Sequence, residues 1–277
     1  MKLIKPVVGG HDGSSFRELG SMWGELGLCE VIDGKIPEKP WPVGESLLIE
    51  ARPWLNEVGD ILLYDNPILD KLHEGLCWNI ALWSNTIYDS YNSSPWIFWP
   101  RWPKQYNMYL GSTRAKSYEE RSIESIFIGN MTTCTRSSEW NNCIEFYKMG
   151  HPTQNFQNNM MYSYDDYLGL LNNSKFGLCL AGVGPKCLRD VELIGLGTVP
   201  IFTPGCCTNY YNKLEENIHY LYADTPDKLT ELIEECSEEH WAFMSNECQE
   251  WYKKNCSPEG SFNTTVNILE KEYGWTG

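Results

Sequence analysis

The segment Ser174–Phe202 (SKFGLCLAGVGPKCLRDVELIGLGTVPIF) constrains the fold more than any other part of the chain. Its apolar run Phe176–Leu180 predicts a buried strand, and the glycines that follow predict a tight loop. Cys187–Leu196 then has helical spacing, and Thr198–Phe202 is again an apolar run that fits a strand. Because strands that alternate with helices form parallel sheets with helices on both faces, the segment predicts an α/β fold.

The same alternation runs through the rest of the chain and predicts two domains. In the first third, strands and helices alternate at Leu3–Val8 (strand), after Ser15 (helix), Asp60–Tyr64 (strand), Pro67–Leu76 (helix) and Asn79–Trp83 (strand). Around the segment described above, the pattern predicts a strand at Ile123–Ile128, helices at Thr135–Tyr147 and Asp165–Asn172, a strand at Tyr220–Tyr222, and helices at Thr225–Cys236, Glu239–Asn255 and the C-terminus. We predict two Rossmann-like domains, residues 1–118 and 119–277. The boundary lies there because a Pro- and Trp-rich stretch and a polar stretch separate the first series of strands and helices from the second.

The composition excludes several classes of protein. The net charge of −15 would repel a phosphate backbone and argues against a nucleic-acid partner. The 11 cysteines include no CxxC pair, which argues against a zinc site and a disulfide framework. No apolar run has the length of a signal peptide or of a membrane span, about 20 residues. We therefore expect a cytoplasmic protein with reduced thiols and no membrane span.

The glycine loop and the helix after it are typical of an anion-binding site. Gly182 and Gly184 have no Cβ atoms, so backbone N–H groups can approach a ligand closely, and the helix adds the positive end of its dipole. Arg189 can bind phosphate oxygens through two parallel hydrogen bonds, and Glu192, on the same helix face, can accept hydrogen bonds from the diol of a ribose. Lys186 is a further candidate cation. These side chains suit a nucleotide-diphosphate sugar, whereas the spacing alone also fits a surface salt bridge beside a glycine turn.

The same segment resembles the signature of exostosin-like glycosyltransferases. That pattern has Ser-Lys-Phe before the strand, a Gly-x-Gly-Pro loop, an Arg, a Glu three residues later and a closing Gly-x-(Ile/Val)-Pro-(Val/Ile). The matching positions are Ser174, Lys175, Phe176, Gly182, Gly184, Pro185, Arg189, Glu192, Gly197, Val199, Pro200 and Ile201. Two positions depart from the pattern: Ala181 replaces the usual Pro, and Leu193 replaces a small residue. The sequence shows no membrane anchor or stem and in this is similar to the short exostosin-like glycosyltransferases of large algal viruses.

This resemblance implies a GT-B architecture, in which two Rossmann-like domains face a central cleft and the C-terminal one binds the donor nucleotide. It implies transfer of a sugar from a UDP-sugar, with UDP-xylose as the favoured donor, to a hydroxyl of a glycan acceptor, with inversion at the anomeric carbon. The chain has no Asp-x-Asp motif, so we expect neither a metal nor another cofactor. Arg189, Lys186 and the helix dipole would then stabilise the leaving diphosphate. Arg136 would assist, because it follows a Gly-ended strand as an Arg does in the family.

An inverting transfer needs a general base to take the proton of the acceptor hydroxyl. Asp12 and His11 are our candidates, because they follow the first predicted strand in a loop over Gly9–Gly13, and ligands of such sheets bind beyond the strand ends. Asp12 can alternatively be a cap for the next helix. Asp65 and Asp89 are the next candidates for the base.

The aromatic content supports a second hypothesis, a non-enzymatic glycan-binding protein. The chain contains 12 Trp and 16 Tyr, whose flat rings can stack on sugars. Trp96, Trp99 and Trp102 are candidate platforms for an acceptor sugar, although core packing is the alternative for each. A dehydrogenase is disfavoured because Cys187 stands where the dinucleotide-binding pattern has its third glycine, and a P-loop enzyme is excluded because no GK[ST] occurs.

Overall fold

The computed structural model describes residues 2–5, 11–33, 46–49, 59–64, 78–83, 93–95, 97–129, 139–140, 143–148, 162–181 and 186–273, with side chains described in 18–30, 97–129, 139–140, 143–145, 162–181 and 186–272. The chain divides into two compact units. The first comprises Met1–Asn107, Cys207–Lys213 and Lys253–Gly277, and the second comprises Met108–Cys206 and Leu214–Tyr252.

The first unit contains a parallel sheet built from short strands. They are β1 (Lys2–Lys5), β2 (Glu30–Asp33), β3 (Ser46–Ile49), β4 (Gly59–Tyr64), β5 (Trp78–Trp83) and β6 (Ser93–Pro95). Their order is β2-β1-β3-β4-β5-β6, and every neighbouring pair is parallel. The strands predicted near Leu3, Asp60 and Asn79 are confirmed, whereas β2, β3 and β6 are additional strands that the apolar runs did not predict.

Two helices that are far apart in sequence pack together in this unit. Helix α1 (His11–Glu25) contacts helix α7 (Pro258–Tyr273). Trp23 on α1 is fully buried, its indole N–H donates to Oγ of Ser261 at 2.9 Å, and its ring meets Phe262 edge-on at a centroid distance of 5.6 Å. The last turns of the chain therefore complete the core of the unit that the first strand begins.

The start of α1 corrects one prediction. The loop expected over Gly9–Gly13 ends earlier than predicted, because the helix begins at His11 and its first turn includes Asp12. His11 and Asp12 thus lie on the first turn of a helix rather than in a loop.

The second unit contains another parallel sheet with helices between its strands. The strands are β7 (Ile123–Gly129), β8 (Glu145–Lys148), β9 (Ser174–Cys179), β10 (Val199–Phe202) and β11 (Leu221–Tyr222). The helices that follow α2 (Pro103–Ser112) are α3 (Tyr164–Asn172), α4 (Leu188–Gly195), α5 (Pro226–Glu235) and α6 (Glu238–Asn255). The strand order is β11-β10-β9-β7-β8, again with all pairs parallel. Buried apolar side chains of β7, β9 and β10 form one core with Trp241 and Met244 of α6.

The region over 135–148 differs from the sequence prediction. A helix was expected at Thr135–Tyr147, but the chain forms the edge strand β8 at Glu145–Lys148, paired with the end of β7. The segment Glu-Phe-Tyr-Lys favours this outcome because aromatic residues have a high strand propensity and a neighbouring strand end is available for pairing. Pairing with β7 therefore outweighed the local helical spacing of this segment.

Both sheets have the same doubly wound topology. Numbered along the chain within each sheet, the first has the order 2-1-3-4-5-6 and the second has the order 2-1-3-4-5. In each sheet, the second strand lies on one side of the first strand, and the third strand lies on the opposite side of it. This reversal is the topological switch point, where ligands of doubly wound sheets bind beyond the carboxyl ends of the strands. It lies between β1 and β3 in the first unit and between β7 and β9 in the second.

Helix α4 lies unusually close to strand β9. A Cβ atom added to Gly177 would lie 2.3 Å from Cδ2 of Leu193, so only glycine at this position allows Leu193 to pack on the strand. The helix ends in a Schellman motif, in which Gly197 has a φ of 65° and the N–H of Thr198 donates to the carbonyl of Leu193 at 3.0 Å. These contacts fix α4 on the sheet.

No helix in the part of the chain that the structure describes combines the length and apolar character needed to span a membrane. The Trp-rich stretch contains a further correction, since Trp99 is 1% exposed and packs against Phe98 at a centroid distance of 5.0 Å. Trp99 is a core residue and cannot be a platform for a sugar. Trp102 is half-buried beside Arg101, and Trp96 lies outside the described residues.

Candidate functional site

Arg189 lies at the topological switch point of the second sheet. It belongs to the first turn of α4, and its Nη1 donates to the carbonyl oxygen of Ile128 at 3.0 Å, near the carboxyl end of β7. Its Nη2 donates to the carbonyl oxygen of Leu180 at 3.5 Å, directly after β9. The guanidinium therefore bridges the ends of the two strands between which the chain reverses its direction around the sheet.

The surroundings of Arg189 keep a positive charge buried. The side chain is 7% exposed, and its guanidinium lies over the ring of Phe127 at 4.2 Å, a favourable cation–π arrangement. A Cβ atom at Gly129 would lie 3.0 Å from Nη1, so the glycine that ends β7 makes room for the guanidinium. Burial acts to lower the pKa of Arg189, but ionisable neighbours, chiefly Cys187 and Asp190, outweigh it and raise the pKa. Arg189 is thus charged at any physiological pH.

A second buried arginine shows what is particular about Arg189. Arg121 donates from all three of its nitrogen atoms, to the carbonyls of Lys116, Ser174 and Leu196 and to the hydroxyl of Thr198 at 2.7–3.0 Å. Burial lowers the pKa of Arg121 to about 10. The Nε of Arg189, in contrast, is buried and has no hydrogen-bond partner among the described residues. Because a buried N–H without a partner is costly, Arg189 is suited to receive an additional acceptor.

The start of α4 is stabilised from within the chain. Cys187 is the N-cap, and its backbone N–H donates to Oδ2 of Asp190 at 2.8 Å, which is half of a capping box. Lys186, which precedes the cap, is only 2% exposed. Two side chains that can be cationic, Lys186 and Arg189, are therefore buried at a helix N-terminus, where the dipole also favours an anion.

Glu192 lies one turn further along α4 and is held by two tyrosines of α3. The hydroxyl of Tyr164 donates to Oε1 and the hydroxyl of Tyr167 donates to Oε2, both at 2.6 Å. All three side chains are buried. Glu192 is thus a buried carboxylate in a fixed orientation, and Tyr167 is also close enough to Arg189 to affect the pKa of that side chain.

The structure brings some of the predicted site residues together and leaves others outside the described part. Lys186, Arg189 and Glu192 share the start of α4. Outside the described residues lie Gly182, Gly184, Arg136, Asp65 and Asp89. His11 and Asp12 are placed by their backbone on the first turn of α1, directly after the gap that follows β1, which is the first strand at the switch point of the other sheet. Among the described residues, no three His, Cys, Asp or Glu side chains are grouped so that they could hold a metal ion.

Sequence reasoning missed the two tyrosines. The signal was present, because Tyr164 and Tyr167 are three residues apart on a predicted helix and therefore share a face. The spacing predicts that shared face but not its partner, since nothing in the sequence around Tyr164 points to a carboxylate 28 residues away. Together with Arg189, the arrangement places a buried arginine and a buried glutamate one turn apart on α4.

Comparison with known proteins concerns the fold. The chain matches no protein-family model, and no curated protein sequence matches it. Among solved structures it is similar to a glycosyltransferase from Rickettsia africae ESF-5, with a TM-score of 0.50, 9% identity, and coverage of 98% of this chain and 97% of that one. It is equally similar to sucrose-phosphate synthase from Thermosynechococcus elongatus, with a TM-score of 0.50, 7% identity, and coverage of 99% and 98%. The fold is GT-B-like. The predicted α/β class with two Rossmann-like sheets is thereby confirmed.

Proposed function

We propose that the chain is a glycosyltransferase that moves a sugar from a UDP-sugar to a hydroxyl group of a glycan acceptor. Two similar solved structures carry the names of sugar-handling enzymes, a glycosyltransferase and a sucrose-phosphate synthase. The observation that carries the proposal is the position of Arg189, a buried cation at the switch point of the second sheet with an unpartnered Nε. A diphosphate supplies the negative charge and the acceptor oxygens that such a side chain can bind.

The proposal gives each candidate residue a role. Arg189, assisted by Lys186 and the dipole of α4, stabilises the charge that develops on the diphosphate when the sugar leaves. Glu192 accepts hydrogen bonds from the ribose, and backbone N–H groups near Gly182 and Gly184 approach the phosphates. The proposal includes transfer with inversion, no requirement for a metal, UDP-xylose as the favoured donor, and membership of the exostosin-like enzymes. Arg136 would add positive charge, and Asp12 or His11 would take the proton of the acceptor.

The test is the binding of UDP to the wild-type chain and to Arg189→Ala. We expect UDP to raise the Tm of the wild type, because a ligand that binds only the folded state stabilises it, and to leave the Tm of Arg189→Ala unchanged. Arg114→Ala is the matched control: it also removes one positive charge, but from an exposed arginine that pairs with Glu120, so its response to UDP should equal that of the wild type. A wild type that does not respond to UDP would contradict the proposal and favour a glycan-binding protein, which needs no diphosphate site.

A further inference from the structure

We propose that Phe127 and Gly129, at the end of β7, are positioning residues that hold the guanidinium of Arg189 where it binds a diphosphate. The inference rests on the proposed function and deepens it, because it names what keeps the donor-binding cation in place. Both residues act on the ligand through Arg189, whose guanidinium lies against both of them.

The last three residues of β7 surround one side of the guanidinium. Because successive side chains of a strand point to opposite faces, positions 127 and 129 share a face. The guanidinium of Arg189 lies over the ring of Phe127 at 4.2 Å, and its Nη1 donates to the carbonyl oxygen of Ile128 at 3.0 Å. The strand end thus provides a ring, an acceptor and, at Gly129, room for the guanidinium.

Gly129 is required because other groups already occupy the place of its side chain. A Cβ atom there would lie 2.9 Å from Cζ of Phe127 and 3.0 Å from Nη1 of Arg189. Glycine in a strand often marks such a close approach of another group. Phe127 is fully buried in a packed core, so its ring has little freedom to move away. A methyl group at position 129 would therefore displace the guanidinium from its hydrogen bond with Ile128.

These contacts orient Arg189 without neutralising its charge. The ring of Phe127 and the carbonyl oxygens of Ile128 and Leu180 are uncharged, and they offset part of the cost of burying a cation. The neighbouring Asp190 helps to raise the pKa of Arg189, and its Oδ2 accepts the backbone N–H of Cys187. A cation that is oriented before the ligand arrives suits an anion whose charge grows during a reaction.

A ring beside a buried arginine does not by itself indicate a ligand site. Arg121 lies over the ring of Trp241 at 4.9 Å, but it joins the carbonyls of Ser174, at the start of β9, and Leu196, at the end of α4. Arg189 instead lies at the carboxyl ends of β7 and β9, where doubly wound sheets bind their ligands. The position in the sheet therefore makes the support of Arg189 part of a binding site.

The experiment measures by calorimetry, at one salt concentration, the binding of UDP and of uridine, which lacks the diphosphate. For the wild type we expect UDP to bind at least about 10-fold more tightly than uridine, because a hydrogen bond to a charged group contributes about that factor. In Gly129→Ala and Phe127→Leu, tested separately, this ratio should fall to about 3-fold or less, because the guanidinium is displaced or loses its cation–π contact. The affinity for uridine should change little.

Matched variants separate the position of Arg189 from packing in general. Gly111→Ala adds the same methyl group at a place where a Cβ meets nothing within 4 Å. Phe202→Leu removes a buried ring of the same unit that packs edge-on against Tyr220 at 5.1 Å. Both should keep the wild-type ratio, even where Phe202→Leu lowers the Tm. In an Arg189→Lys background, which lacks Nη1, Gly129→Ala should change the ratio by less than about 2-fold.

The outcomes separate this inference from the proposed function. If the wild type prefers UDP to uridine and both Gly129→Ala and Phe127→Leu keep the full ratio, the inference is overturned while the diphosphate site stands. If UDP does not bind, or binds no better than uridine, the proposed function falls and the inference falls with it. A merely structural pair would lower the Tm of the two variants and leave the ratio unchanged. Should one variant fail to fold, the ratio in the other decides the question.

Discussion

The two sheets of this protein share a topology and differ in what lies at their switch points. In the second sheet the strand ends at β7 and β9 are bridged by Arg189, and Glu192 is held nearby by two tyrosines. In the first sheet the residues that follow β1 lead into α1, whose first turn carries His11 and Asp12. One switch point therefore has a buried arginine with a buried glutamate one helical turn away, and at the other the chain continues into a helix whose first turn contains a histidine and an aspartate.

Under the proposed function, this difference is a division of chemical roles between two sheets of the same topology. A doubly wound sheet places ligands beyond its strand ends whatever the side chains are, so the topology supplies the location and the residues supply the chemistry. Fixed charge that is already buried in the folded protein is suited to stabilising a leaving diphosphate. A carboxylate or imidazole that follows a strand end is suited to proton transfer. The variants below test whether the two units can be disabled independently.

The largest effect is expected from Asp12→Asn in the first unit. If Asp12 is the general base, the variant loses proton transfer to the carboxylate, and kcat should fall by about 10²–10⁴-fold. Binding of UDP should remain that of the wild type, because the proposed donor residues belong to the second unit. Single-turnover transfer and UDP titration on the same preparation measure both quantities. Asp65→Asn is the comparison variant, and full turnover in Asp12→Asn would exclude this residue as the base.

The repeated strand–helix pattern was predictable from sequence because it depends on local apolar runs. β4, β5, β7, β9 and β10 are each short runs of apolar residues, and burial in a parallel sheet requires that composition. β8 was mispredicted as helix because its pairing partner, the end of β7, is not local information. The short strands β2 and β3 were not predicted for a related reason. Each is only four residues long, and its pairing with β1 in the sheet is not visible in the local sequence.

The candidate site was predictable only where one short segment carries it. Lys186, Arg189 and Glu192 lie within seven positions of the chain, so helical spacing was enough to place them at the start of one helix. The tyrosine support and the bridging of two strand ends by Arg189 depend on contacts over 25 to 61 residues. The role of Arg121 also depends on long-range contacts, because its guanidinium donates to the carbonyls of Ser174 at the start of β9 and of Leu196 at the end of α4. These contacts make Arg121 a structural residue. No local sequence pattern distinguishes it from an arginine that binds a ligand.

A smaller effect is expected when the packing of the second unit is disturbed at Gly177. Its replacement by Ala would place Cβ within 2.9 Å of three atoms of Leu193, and such overpacking costs about 1–3 kcal/mol in the free energy of unfolding. The large side chain of Leu193 on α4 therefore depends on glycine at position 177. Chemical denaturation of Gly177→Ala measures the cost.

A double-mutant cycle and a control variant make this prediction specific. Gly177→Ala combined with Leu193→Ala should be less destabilised than the sum of the single variants by about 1 kcal/mol or more, because the clash is absent. Gly111→Ala should instead be neutral or stabilising, since a Cβ there meets nothing within 4 Å. Additive effects in the cycle would show that Leu193 does not determine the need for glycine.

The smallest effect is expected in the first unit, where Ser261→Ala removes the acceptor of the Trp23 indole N–H. The donor is fully buried, so its loss of a partner should lower the free energy of unfolding by about 1 kcal/mol. The affinity for UDP should be unchanged, because Trp23 and Ser261 both belong to the unit without the proposed donor residues. In a Trp23→Phe background the same substitution should be nearly neutral, since no indole N–H is left to satisfy. A change in UDP affinity upon Ser261→Ala would instead mean that the packing of α1 on α7 supports the donor site, and the division of roles between the two units would have to be abandoned.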